Sequence, residues 1–192
     1  MIFALPFIIA GLILAVMAHL TSVLLMPHLT RNDIFARLGA VAAVNTAAAL
    51  PQREIDRLGL PFADPAAAAA VCRYDLSAGS LRVRAPAAET LLTVTIAAKG
   101  GRVFYSLTDR AAAGDSDSVD VVIGTPEQIA KIEAADPEDE AVSELRVRAP
   151  KNEGVVIFRV LALTDSGREA AERAAAASTC ELEALDEAQK GK

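Results

Sequence analysis

The hydrophobic pattern of this chain changes period several times, and each change marks a region. From Ile2 to Met26 there is no period: every residue is apolar except His19, Thr21 and Ser22, and no charge occurs before Arg31. A bilayer core needs about 20 mostly apolar helical residues to be crossed. The pattern predicts a transmembrane helix over Ile2–Met26, closed by Pro27, which interrupts helical hydrogen bonding. The competing reading is a cleaved signal peptide, with Val16 and Ala18 as the small residues before a cut at His19. The lack of a basic start, and an apolar run that continues to Met26, favour the anchor.

Beyond Asn32 and Asp33, either of which can cap, Ile34, Leu38, Val41 and Val44 recur at helical spacing. This predicts a short amphipathic helix near the membrane surface, ending around Asn45. A second helix is expected over Asp64–Arg73, with Asp64 as cap, Pro65 at the first position and an alanine run behind. The period then falls to two. Strands are expected at Leu81–Ala85, Leu91–Ala97, Val103–Leu107, Val119–Ile123, Ala141–Arg148 and Val155–Leu163. Gly100-Gly101 between two of these reads as a hairpin turn, because both central positions of such a turn favour positive φ. Thr125 and Pro126 open a helix to about Ala134, and Gly167–Thr179 forms the last helix. About six strands without βαβ regularity predict a mainly β fold with short helices, an antiparallel sheet or sandwich. The expected layout is an anchor over 1–30, a juxtamembrane helix and linker over 31–63, a sandwich over 64–180 and an acidic tail over 181–192.

Leu81-Arg82-Val83-Arg84-Ala85-Pro86 recurs as Leu145-Arg146-Val147-Arg148-Ala149-Pro150. Strand alternation puts Arg82, Arg84, Arg146 and Arg148 on the side away from the core. If the two strands are neighbours, the four guanidinium groups attract an anion such as a lipid headgroup or sugar acid. The competing reading is ordinary pairing with Glu89, Glu144, Glu153 and Asp75 on a solvated face.

Several of these stretches resemble a known bacterial family. Cys72-Arg73-Tyr74-Asp75-Leu76, Arg82-Val83-Arg84-Ala85-Pro86 and Phe104-Tyr105-Ser106-Leu107-Thr108-Asp109-Arg110 are similar to the short, membrane-anchored form of domain of unknown function twelve fifty-four. Thr108 stands where that family usually has Asn. His19, Thr21, Pro27, Asn32, Asp33 and Arg37 match its helix exit and following turn, and Cys180 falls where such proteins often carry a second cysteine. The resemblance implies an immunoglobulin-like β-sandwich and an envelope location. It also implies a companion envelope protein with a second β-rich domain of unknown function. It carries over no catalytic residues.

Composition narrows the chemistry. The chain has 192 residues, 19 basic and 25 acidic, for a net charge of -6. That balance argues against nucleic acid as a partner. Both histidines, His19 and His28, lie in the apolar segment, so the domain behind it has no imidazole for a triad or a zinc site. No metal or other cofactor is expected. Cys72 and Cys180 are the two cysteines. They suit a disulfide closing a loop of about 110 residues in an oxidising compartment, or else two buried thiols in the cytoplasm. Arg31 and Arg37 would hold the domain in the cytoplasm by a literal charge count; the cysteines favour the other side. The expected location is the bacterial inner membrane, single pass, with the domain in the periplasm. Tyr74, Asp75, Tyr105, Asp109 and Arg110 form a polar-aromatic set. They suit either corner-tying or carboxylate chemistry on a glycan or ester, which needs two carboxyl groups about 5–9 Å apart. The leading expectation is a binding or scaffolding module without catalysis. The alternatives are that carboxylate enzyme and a structural subunit acting through its helix.

Overall fold

The computed structural model describes residues 4–29, 34–60, 64–111, 118–136 and 144–183. The chain divides into two units, Met1–Asp33 and Ile34–Lys192.

The first unit is one helix, α1 (Leu5–Leu29), without an acidic residue in its first turn. Its stretch Leu5–Met26 is long and apolar enough to cross a membrane, and none of it is buried in the protein. Two hydroxyls that would be costly in hydrocarbon are satisfied within the helix: Thr21 donates to the Met17 carbonyl and Ser22 to the Ala18 carbonyl, each at 2.8 Å. The helix continues past Pro27 to Leu29, so the proline ends it less sharply than expected. In a last turn the missing N–H costs a single intrahelical bond.

The second unit is a mainly β sandwich of two sheets with short helices, as the alternating pattern implies. One sheet has the order β1 (Ala47–Leu50), β2 (Ala67–Asp75), β8 (Glu153–Leu161), β4 (Leu92–Ala98), β5 (Val103–Thr108). The other has the order β7 (Leu145–Arg148), β6 (Ser118–Gly124), β3 (Ser80–Pro86), β9 (Thr179–Glu183). All pairings are antiparallel except β6 with β7, which is parallel and bridged by helix α4 (Pro126–Ala135). No βαβ unit is expected from the sequence, and this one departs from the antiparallel strand order of an immunoglobulin sandwich.

Between the sheets lies the main core, which includes Tyr74, Leu81, Val83, Ile96, Val121 and Phe158. A second core forms on the outer face of the first sheet. There α2 (Ile34–Leu38) and α3 (Gln52–Leu58) bury Phe35, Leu38 and Ile55 against Ala69, Val71, Val155 and Ile157. Residues expected to skim the membrane or serve as a linker therefore belong to the domain. Their apolar face is met by a sheet, which buries it more fully than an interface would. Within this layer the Arg73 guanidinium stacks 4.3 Å from the Phe35 ring centre.

The largest correction concerns Asp64–Arg73. It is not a helix: Ala67–Asp75 is strand β2, between β1 and β8. The Asp64 side chain does accept a backbone N–H, from Ala66 at 2.9 Å, and Ala67 N–H bonds the Asp64 carbonyl. That closes a turn rather than a first helical turn. Alanine favours helix by propensity, yet here small side chains let one strand be buried between the helical layer and the facing sheet, and packing overrides propensity. A second correction is β9, expected as part of a frayed tail from residue 181; it runs to Glu183 and pairs with β3. The last helix, α5 (Arg168–Ala176), is shorter than expected and feeds that strand.

Other signals translate directly. Gly100 and Gly101 have φ of 99° and 83° in the β4–β5 turn. Thr125 and Gln128 form a reciprocal capping box on α4. The Gln128 amide then donates to the Leu76 carbonyl at 2.9 Å, tying the helix to the β2–β3 turn. The proposed caps Asn32 and Asp33, the flanking Arg31, residues 141–143 of an expected strand, the acids at 138–140 and the tail from 184 lie outside the described residues.

Candidate functional site

The two Leu-Arg-Val-Arg copies are strands β3 and β7, and they are not neighbours. Strand β6 runs between them, with β3 antiparallel on one side and β7 parallel on the other. Register makes the arrangement pseudo-symmetric: Arg82 and Arg146 both lie opposite Val122. Val122 is on the outer face of the sheet, yet is 1% exposed. The repeat is thus a two-sided cover for one central strand.

All four arginines face outward, and each is engaged by carboxylates. Arg82 reaches Asp120 at 3.0 Å, Glu183 at 2.8 Å and Glu144. Arg146 bonds Glu144 at 3.0 Å and grips Asp136 with two nitrogens. Glu144 therefore joins the two copies. Arg84 pairs with Asp120 at 3.1 Å, and Arg148 with Glu133 of α4 at 2.6 Å. Of the partners considered from sequence, Glu144 is used; Asp75 and Glu153 are engaged elsewhere, Asp75 with Ser77 and Glu153 with Lys99. Burial by itself would lower the Arg82 pKa; its bonds to Asp120 and Glu183 outweigh that and raise it. Bonds to Asp136, the largest influence, raise Arg146 likewise. Arg82 and Arg146 are 23% and 13% exposed, whereas Arg84 and Arg148 are 53% and 56% exposed. The inner pair is a structural lattice and the outer pair reaches solvent.

The polar-aromatic set is dispersed. Tyr74 is fully buried, and burial raises its hydroxyl pKa. Its ring lies over Gly154, where an added Cβ would come within 2.3 Å of the Tyr74 oxygen and 2.2 Å of the Ala97 carbonyl. Asp75 closes the β2–β3 turn by accepting from the Ser77 hydroxyl at 2.5 Å and the Ser77 N–H at 2.9 Å. Those bonds, the hydroxyl first, hold its carboxyl below its ordinary range. Tyr105 packs at the edge of the main core. Asp109 accepts from the Ala88 N–H at 3.2 Å and Arg110 donates to the Thr90 carbonyl at 3.4 Å, so both fasten the β3–β4 loop.

Asp75 and Asp109 sit at opposite ends of the first sheet. Asp75 pairs with Glu153 at the start of β8, while Asp109 follows Thr108, whose row (Thr108, Thr93, Arg159) crosses β8 near its end. About six residues of strand separate the rows, on the order of 20 Å at the usual rise. A carboxylate pair acting across one glycosidic bond cannot be formed from them. Among the described residues no three His, Cys, Asp or Glu side chains are placed to share a metal ion.

Cys72 and Cys180 are bonded, with Cα atoms 6.4 Å apart and a sequence separation of 108. Both lie on strands, β2 and β9, so the bond crosses from one sheet to the other. The helical setting expected for both ends is incorrect, because Cys72 lies in β2 and Cys180 in β9. Two clefts, of about 270 and 340 Å³, flank α5. Alanines dominate their walls, with Arg173 common to both and Arg168, Glu169 and Glu172 in the first. No sequence signal marks them, since alanine carries no chemistry of its own.

These features define a disulfide-crossed, two-sheet β-sandwich preceded by an apolar helix. No known family profile and no curated protein matches the chain. Its fold is similar to part of the VPA0106 protein from Vibrio parahaemolyticus, at a TM-score of 0.52 and 13% identity, covering 73% of this chain and 30% of that one. An uncharacterised protein from Burkholderia cenocepacia matches at a TM-score of 0.47 and 14% identity, over 75% of this chain and 36% of that one. The chain spans about a third of the length of either structure. The likeness extends to the fold alone.

Proposed function

We propose that this chain is a single-pass bacterial envelope protein of the inner membrane whose periplasmic sandwich is a non-catalytic binding or scaffolding module for a second envelope protein. The observation that carries the reading is the Cys72–Cys180 bond, which crosses the two sheets of a domain attached to a bilayer-length apolar helix. Disulfides persist in oxidising compartments, and an anchored domain with such a bond belongs outside the cytoplasm. The resemblance to domain of unknown function twelve fifty-four points to a β-rich companion. Arg84 and Arg148 are where that companion's acidic groups would make contact, because they are the two of the four arginines with more than half of the side chain exposed.

Three measurements test the proposal. Alkaline carbonate should leave the chain in the membrane pellet, with its apolar segment uncleaved; release with a new N-terminus near His19 overturns the anchor. Alkylation of unreduced, denatured protein should find no free thiol; two labelled cysteines would place the domain in the cytoplasm. Detergent co-purification should retain a second envelope protein, and the pair Arg84→Gln and Arg148→Gln should reduce its recovery severalfold. Recovery unchanged by that double variant removes the arginine contact.

A further inference from the structure

Of the two ends of the first sheet, one receives the chain from the anchor. Residues 30–33 separate α1 from α2, and Phe35 stands six residues beyond Leu29. Six residues of extended chain span at most about 20 Å. The Phe35 ring centre lies 5.0 Å from the Lys99 ammonium, at the turn between β4 and β5. The covalent chain therefore keeps this end of the sheet close to the end of α1. The opposite end is farther by the length of β8, nine residues or on the order of 30 Å. The two ends also differ in charge. Turns at the near end carry Lys99, Arg102 and Lys151, with the Lys151 ammonium donating to the Lys99 carbonyl at 2.9 Å. The acids there are Asp75, held by Ser77, Glu153, paired with Lys99 at 2.7 Å, and Glu127 at the start of α4. Among the described residues no carboxylate pairs with Arg102 or Lys151, and both are exposed. The far end carries Asp64, Glu89, Asp109 and Asp165 against Arg110 and Arg168.

We propose that the sandwich docks on the bilayer that holds its anchor, through the corner made by the β4–β5 and β7–β8 turns, where Lys99, Arg102 and Lys151 meet anionic lipid headgroups. This rests on the membrane anchor proposed for the chain and adds the surface on which the domain stands. Tether and charge together select the bilayer as occupant. A basic side chain within a Debye length of an anionic surface, about 8 Å, is attracted to it. The short tether makes that encounter intramolecular, so the effective concentration is high and a few basic groups suffice. The far end, where acids outnumber bases, is repelled by the same surface. The domain is thereby oriented as well as held. Ala87–Thr90 and Gly167, which line the cleft of about 340 Å³, belong to the far end, and that cleft faces away from the bilayer.

The test uses the full chain reconstituted into vesicles of phosphatidylcholine alone, or of phosphatidylcholine and phosphatidylglycerol in equal parts. A fluorophore is attached at Asn152→Cys in the near corner or at Leu163→Cys in the far loop, both exposed positions. Lipids with a quencher on the headgroup should quench the near label severalfold more than the far one in the mixed vesicles. In phosphatidylcholine alone the difference should fall severalfold. Arg102→Gln with Lys151→Gln should cause the same fall in mixed vesicles and leave the melting temperature unchanged. Equal quenching of the two labels overturns the proposal. So does quenching of the near label that depends neither on phosphatidylglycerol nor on the two basic side chains, since the tether alone would then explain it. A chain that fails to float with either vesicle overturns the anchor and the docking with it. One that floats with its near label unquenched overturns the docking alone.

Discussion

The two sheets share one core but cover their outer faces in opposite ways. The first sheet is roofed by α2 and α3, with Phe35, Leu38 and Ile55 buried on Val71, Val155 and Ile157. The second is roofed by arginines and carboxylates, which together shut Val122 away from water. An apolar roof draws on surface removed from water, about 25 cal/mol per Å². It is indifferent to salt at moderate concentration. An ionic roof exchanges hydration for paired charges, and its worth shrinks as the groups become exposed or screened. The comparison teaches that the Arg-x-Arg repeat answers a packing problem on one strand, β6, whose outward Val122 lies between Arg82 and Arg146. It also explains why only Arg84 and Arg148 of the four arginines have more than half of the side chain exposed.

Substitutions should separate the shared core from its two roofs. The largest effect is expected inside the core, where the roofs do not matter. Gly154→Ala forces a Cβ to within 2.2 Å of the Ala97 carbonyl, a backbone atom that cannot swing aside. It should cost about 4 kcal/mol or more, seen as loss of protease-resistant protein. Leu38→Ala in the apolar roof should cost about 2–5 kcal/mol, and the deficit against the natural chain in urea melts should be the same in 0.05 and 1 M NaCl. Glu144→Gln in the ionic roof should cost about 1–3 kcal/mol, since Arg82 and Arg146 both lose a partly buried partner. That deficit should shrink by half or more in 1 M NaCl. Equal salt dependence for the two variants would break the contrast between the roofs.

The smallest effect is a pH dependence at the β2–β3 turn. The folded-state pKa of Asp75 lies below its unfolded value because Ser77 bonds the ionised form. The turn is therefore stabilised above the unfolded pKa, and the gain disappears as pH falls through the folded one. After solvent screening this amounts to a few tenths of a kcal/mol. Between pH 7 and pH 3 the natural chain should lose slightly more melting temperature than Asp75→Asn; an equal loss would show that the turn contributes nothing to the acid limb.

Local chemistry in the sequence was enough for features that depend on a few adjacent residues. The charge-free run specified an apolar helix. Thr125-Pro126 with Gln128 specified a capped helix, Gly100-Gly101 a hairpin, and the period-two runs the strands β3, β4, β5, β6 and β8. The outward direction of Arg82 and Arg84 followed from alternation alone. Such features are set within one turn or one pleat, where the chain itself supplies the controlling contacts.

Tertiary structure decided what depends on partners distant in sequence. Asp64–Arg73 has a helix cap and alanines of high helix propensity, yet becomes β2 because β1 and β8 close on both its edges. Thr179–Glu183 has too few residues to show a period, and becomes β9 because β3 offers an edge and Cys180 meets Cys72. The arginines' partners Asp136 and Glu133 come from the helix α4 that local signals foretold, but its role as a parallel crossover beside β7 was set by the sheet. Asp75 and Asp109, equally acidic in the sequence, are parted by the length of a sheet. A propensity of a few tenths of a kcal/mol per residue yields to burial of a whole strand, and for that reason the residues beside a side chain predicted its direction while the fold alone chose its neighbours.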